Sequence, residues 1–84
     1  MHYVYVLKSK IDGKNYTGYT KNLKLRFEQH NKGLVSSTIN RKPLKLIYYE
    51  VCLNQQDATH REKYFKTIYG KRFIKSRLKS YLTG

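Results

Sequence analysis

The sequence has no tryptophan, a single proline (Pro43), a single cysteine (Cys52) and only five acidic residues among its eighty-four. One cysteine excludes an internal disulfide, and no Cys/His set stands at zinc-ligand spacing, so a structural zinc is excluded too. A reducing compartment fits. No apolar run approaches the roughly 18 residues of a membrane-spanning helix, and the amino terminus lacks the basic, apolar and cleavage regions of a secretion leader. The expectation is a soluble cytoplasmic protein without a membrane partner. Internal repeats, low-complexity tracts and linkers are also missing, and the length leaves room for one small core, so residues 1–84 are read as a single domain.

The shortage of acid leaves 18 Lys and Arg against 5 Asp and Glu, a net charge of +13. Such a field repels itself unless an anion is near, and nucleic acid is the leading partner, because cations that neutralise phosphates release condensed counterions. A lysine-rich solvated surface is the plainer explanation. A membrane surface fits less well, since the cations are spread along the chain and do not line one amphipathic helix. With 39% apolar and 14% aromatic residues, the chain has enough to bury for a folded unit.

From His2 to Lys8 the run is β-branched and aromatic, Ile11 to Lys14 supplies an Asp-Gly turn, and Asn15 to Tyr19 resumes a strand. Alternation puts Tyr3, Tyr5 and Leu7 on one face of this hairpin and Val4 and Val6 on the other. Thr20 is read as the N-cap of a helix running to about Lys32, with Gly33 as a left-handed stop and Leu23, Phe27 and His30 on its inner side. The polar stretch from Leu34 to Pro43 reads as a surface loop whose cations, Arg41 and Lys42, suit phosphate contact. Leu44 to Leu53 makes a third strand. Asn54 caps a second helix extending to about Tyr69, Gly70 breaks it, and a short third helix carries Phe73, Ile74, Arg77, Leu78 and Tyr81. The fold class is α+β: a small three-stranded mixed or antiparallel sheet flanked by helices, in the order β-β-α-β-α-α.

On the second helix Ala58, Glu62, Phe65 and Tyr69 share a face, so one carboxylate interrupts an apolar stripe. Two readings are open: a structural pair with Arg61, Lys66 or Arg26, or a ligand for Mg²⁺, which is content with one or two protein carboxylates plus water and phosphate. The hairpin brings Tyr5 and Tyr16 onto neighbouring strands, and Gly18 leaves the backbone open to close approach. These tyrosines suit strands in any case. A phenol with a pKa near 10 is a poor base, but neighbouring cations favour the phenolate. Arg26 alone reads best as a solvated helix residue, although its planar fork matches a phosphate; His30 alone reads more readily as a hydrogen-bonded residue at the core's edge than as a catalytic group.

Tyr3-Val4-Tyr5 and Tyr16-Thr17-Gly18 resemble the two halves of the GIY-YIG endonuclease signature. Arg26 stands at the spacing of that family's helix arginine, His30 one turn later where the family has His or Tyr, and Glu62 at its metal-binding glutamate. The likeness is closest to small free-standing bacterial members similar to the amino-terminal domain of the excision-repair nuclease subunit. It implies an endonuclease that hydrolyses DNA phosphodiesters in repair or recombination, with one Mg²⁺ or Mn²⁺ and no small-molecule cofactor. Tyr16, assisted by Tyr5 and His30, would take the proton of the attacking water, Arg26 would steady the non-bridging oxygens, and Glu62 would hold the metal. The chain departs from the pattern where Tyr3 replaces the first Gly, where Tyr19 replaces a lysine of the repair branch, leaving Lys14 or Lys21 to supply that charge, and where no late asparagine follows Gly70. The alternatives are a catalytically silent nucleic-acid-binding module of the same fold and a protein-interaction adaptor.

Overall fold

The computed structural model describes residues Met1–Gly84. Three strands, β1 (His2–Ser9), β2 (Asn15–Thr20) and β3 (Leu44–Cys52), and four helices, α1 (Leu23–Asn31), α2 (Gln55–Phe65), α3 (Ile68–Arg77) and α4 (Lys79–Thr83), follow the expected order with one further helical piece at the end. The sheet order is β2-β1-β3 and both pairings are antiparallel, so no strand is parallel.

β1 is central because its apolar run tolerates burial on both faces. Val4, Tyr5, Val6 and Leu7 are all at most 1% exposed. The alternation predicted from the sequence decides what each face meets. Val4 and Val6 pack on Ala58, Phe65 and Ile74 of α2 and α3, whereas Tyr5 and Leu7 pack with Leu44, Tyr16, Leu46 and the α1 residues Leu23 and Phe27. The sheet is therefore the middle of three layers, and each face is closed by helices that could not bury their own apolar sides alone. Arg61 ties the α2 layer to β3: it binds Glu50 through two contacts of 2.8 and 3.1 Å, and its guanidinium lies over the rings of Tyr64, Phe65 and Phe73.

Four boundaries differ from the sequence reading. The cap of α1 is Asn22, whose side chain accepts from the amide of Leu25; Thr20 instead accepts from the amide of Asn22 and shapes the approach. Helix α2 stops at Phe65, well before Tyr69, because Thr67 takes an extended conformation. The Thr67 hydroxyl serves both helices, donating to the Tyr64 carbonyl (2.7 Å) and accepting from the Gly70 amide (3.2 Å). Gly70 thus lies inside α3 and breaks nothing. Its lack of a side chain permits contact with the end of α2, since a Cβ there would overlap the Tyr64 carbonyl oxygen and the Phe65 Cα. As a result Tyr69 is exposed and does not share the buried face of Ala58 and Phe65. The third helix is divided, with Tyr81 on α4.

The Leu34–Pro43 segment is also more than a surface loop, since Val35 and Thr38 are buried. Its ends are closed by Asn31, whose side-chain amide both donates to and accepts from the Leu44 backbone. Ser9 binds the segment to the hairpin by donating to the Arg41 carbonyl at 2.6 Å. No helix is long and apolar enough to cross a membrane.

Candidate catalytic site

The register of the hairpin sets the site. Tyr5 faces Gly18 across the β1–β2 ladder, and Tyr16 faces Leu7. With no side chain at Gly18, the Tyr5 ring lies across β2, and a Cβ at that position would overlap the phenol oxygen. Tyr5 and Tyr16 consequently stand on one face, with ring centroids 6.5 Å apart. Helix α1 carries His30 onto the same face, edge-on to both rings at 5.7 Å from Tyr5 and 5.1 Å from Tyr16.

Tyr5 and His30 are joined by a buried hydrogen bond of 2.9 Å between the phenol oxygen and Nε2. On its other side His30 Nδ1 lies 2.7 Å from the Thr38 hydroxyl, which is 3.5 Å from the Val35 carbonyl. One proton assignment satisfies the whole chain. Thr38 donates to the carbonyl, His30 Nδ1–H donates to Thr38, and Tyr5 donates to the free Nε2; in the reverse order the Tyr5 proton would lack an acceptor in this chain. The electrostatics agree. Burial first, and then the Arg26 charge, push His30 down to about 4, so it is neutral at physiological pH. Burial raises Tyr5 above the ordinary phenol value, against the opposing effect of Arg26 beside it, so Tyr5 is an un-ionised donor.

Tyr16 is the half-buried member, open to solvent where Tyr5 and His30 are not. Arg26 is half-buried too, with Nη1 3.3 Å from Gln29 Oε1. Glu62 approaches from α2, its side chain 22% exposed and its carboxylate 3.2 Å from the Lys66 ammonium. Of the partners open to it, Lys66 is the one found, because Arg61 is committed to Glu50. The charges of Arg26, Tyr16 and Glu62 all act on the Tyr5 phenol, so groups from β1, β2, α1 and α2 share one electrostatic neighbourhood. No group of three or more His, Cys, Asp or Glu could hold a metal ion. Glu62 would be the sole carboxylate ligand, a donor set that Mg²⁺ accepts when water and phosphate complete its shell. The Lys66 side chain is 57% exposed, so it is free to swing away from that oxygen.

The cations expected to meet nucleic acid, and Tyr19 in the place of the repair-branch lysine, are scattered. Lys14 is exposed in the hairpin turn and Lys21 just before α1. Tyr19 turns to the opposite face of the sheet, stacked on His2 and hydrogen-bonded to it at 2.7 Å. Arg41 is engaged with Asp12 at 3.4 Å, and the Lys42 ammonium stands over Gly33. Thr38 escaped the sequence reading altogether. Its spacing of three from Val35 and again from Arg41 is the available signal, since the Thr38 amide bonds to the Val35 carbonyl and the Arg41 amide to the Thr38 carbonyl in two successive turns.

Comparison with known proteins places the chain in a family. The chain is 45% identical over 69 residues to a UPF0213 protein of Clostridium perfringens, covering 81% of this chain and 73% of that one. It is 39% identical over 75 residues to a UPF0213 protein of Staphylococcus haemolyticus, covering 88% and 90%. The solution NMR structure of a UPF0213 protein from Bacillus halodurans superposes with a TM-score of 0.57 at 32% identity, covering 89% of this chain and 82% of the other. Residues 1–76 match the GIY-YIG catalytic domain, and the chain belongs to that nuclease family.

Proposed function

We propose that this protein is a metal-dependent endonuclease that hydrolyses DNA phosphodiester bonds. The observation that carries the proposal is the shared face of two phenols and a buried imidazole, Tyr5, Tyr16 and His30, with the charges of Arg26 and Glu62 acting on the Tyr5 phenol. In a general-acid/base scheme, the solvent-open Tyr16 first gives its own proton to solvent, and the phenolate then takes the proton of the attacking water as the water oxygen bonds to phosphorus and the ester oxygen departs. Tyr5, His30 and Thr38 hold the hairpin and α1 in mutual register, so Tyr16 and Arg26 keep their geometry without moving charge into the core. Arg26 offers its fork to the non-bridging oxygens, where charge grows in the transition state. Glu62 would hold one Mg²⁺ or Mn²⁺, which when bound supplies Lewis-acid stabilisation of the departing oxygen.

The test is nicking of supercoiled plasmid with Mg²⁺ or Mn²⁺. Wild type converts the plasmid to the nicked form, and Glu62→Gln does not, although its DNA affinity measured in chelator is unchanged. Equal cutting by Glu62→Gln removes the metal-binding role. Retained binding without wild-type cutting on any DNA form favours the silent binding module.

A further inference from the structure

Three adjoining hollows begin at β2 beside Tyr16 and Lys66, on the α2–α3 face of the sheet, and run past the hairpin turn to the carboxy-terminal helices. The first, of about 260 Å³, touches Tyr16 and is bordered by Lys66 and Lys71. The second, of about 490 Å³, shares Asn15, Lys71 and Ile74 with the first and adds Lys8, Lys14 and Lys75. The third, of about 440 Å³, shares Lys8, Gly13 and Leu82 with the second and ends at Lys45, whose ammonium stands 5.0 Å from the Tyr81 ring. The shared walls make one continuous groove between the β1–β2 turn and α3–α4.

No carboxylate lines any part of it. Lys66 is the one groove lysine with an acidic partner; the three ion pairs of the molecule leave Lys8, Lys10, Lys14, Lys45, Lys71 and Lys75 unpaired. Crowding these cations along one depression is unfavourable by itself, and the repulsion is relieved by a partner with evenly spaced negative charge. Lysines are flexible point charges that bind phosphate without reading sequence. The groove ends at Tyr16 and at Lys66, the partner of Glu62, so a strand seated in it is delivered to the carboxylate edge of the site. Resting on the nuclease reading, we infer that this groove seats the phosphodiester backbone of the nucleic-acid strand running away from the scissile phosphate, with Lys14, Lys71 and Lys75 as its phosphate contacts.

The experiment measures affinity in chelator, by fluorescence anisotropy over a salt series, for a labelled DNA duplex and a single strand of equal length. Lys14→Gln/Lys71→Gln/Lys75→Gln is compared with Lys24→Gln/Lys32→Gln/Lys63→Gln, an equal charge change away from the groove. All six lysines are exposed, so the fold tolerates both sets. If each groove lysine meets one phosphate, the slope of log affinity on log salt flattens by about 2.7 for the duplex or about 2.1 for the single strand. The control set changes the slope much less, and the probe that shows the contrast identifies the strand form in the groove. Equal effects of the two triple variants overturn the assignment. Wild type that binds neither probe overturns both it and the nuclease reading, whereas a groove-specific slope change in a protein that never nicks DNA leaves the groove standing and removes only the nuclease.

Discussion

Gly18 and His30 show how single residues hold the candidate site. At Gly18 the Tyr5 phenol occupies the space a side chain would need. Gly18→Ala is therefore expected to destabilise by about 1–3 kcal/mol through overpacking, as measured by denaturant unfolding. In a Tyr5→Leu background the same change should cost far less, because the overlapping ring atoms are gone; an undiminished cost would place the strain elsewhere. His30 gives a pH signature. Its imidazole protonates near 6.5 in an unfolded chain but only at about 4 in the fold. Between those values the unfolded state binds the extra proton, so stability declines as pH falls from about 6.5 to 4, by up to about 3 kcal/mol. A His30→Gln variant, unable to titrate there, should lose that part of the slope in unfolding curves taken across the window. Tyr5, Tyr16, Arg26, His30 and Glu62 were legible in the sequence as types at telling spacings. Thr38 was not, since a threonine in a polar loop looks solvated until the loop folds under α1.

At the scale of elements, the junction of α2 and α3 is decided by Thr67 and Gly70 together. Thr67 closes one helix and opens the next with a single hydroxyl, and Gly70 lets the helices touch. Alanine favours a helix interior over glycine by about 0.5–1 kcal/mol, but at Gly70 its Cβ meets backbone atoms that no rotamer change can move. Gly70→Ala should thus lower the melting temperature, and by more than Gly18→Ala, where the obstacle is a side chain. A neutral or stabilising result would refute the close contact. Strand pattern and Asn54 capping were readable locally, as were the inward residues of α1. The end of α2 was not, because a glycine three residues past a helix-ending threonine reads as the breaker, and only the neighbouring backbone shows it to be a contact point.

For the whole molecule the dominant quantity is its charge of +13. Three ion pairs neutralise little of it, and each is at least partly exposed. Self-repulsion should make the free protein less stable at low ionic strength, so the melting temperature should rise as salt goes from about 0.02 M to about 0.3 M, where the screening length falls below about 10 Å. Nucleic-acid affinity should weaken over the same range. A melting temperature indifferent to salt would mean that the cations are already compensated within the fold.

The amino-acid order alone determined the strands and the two-faced alternation of β1, because these follow from local periodicity, and it supplied the candidate site residues through their likeness to the GIY-YIG pattern. Tertiary structure decided which of them meet. Tyr5, His30 and Thr38 form one hydrogen-bonded chain, Glu62 takes Lys66 because Glu50 has claimed Arg61, and lysines far apart in sequence border one groove. Contacts between separate elements depend on how both faces of the sheet are covered, a property of the packed layers that no local stretch of residues encodes.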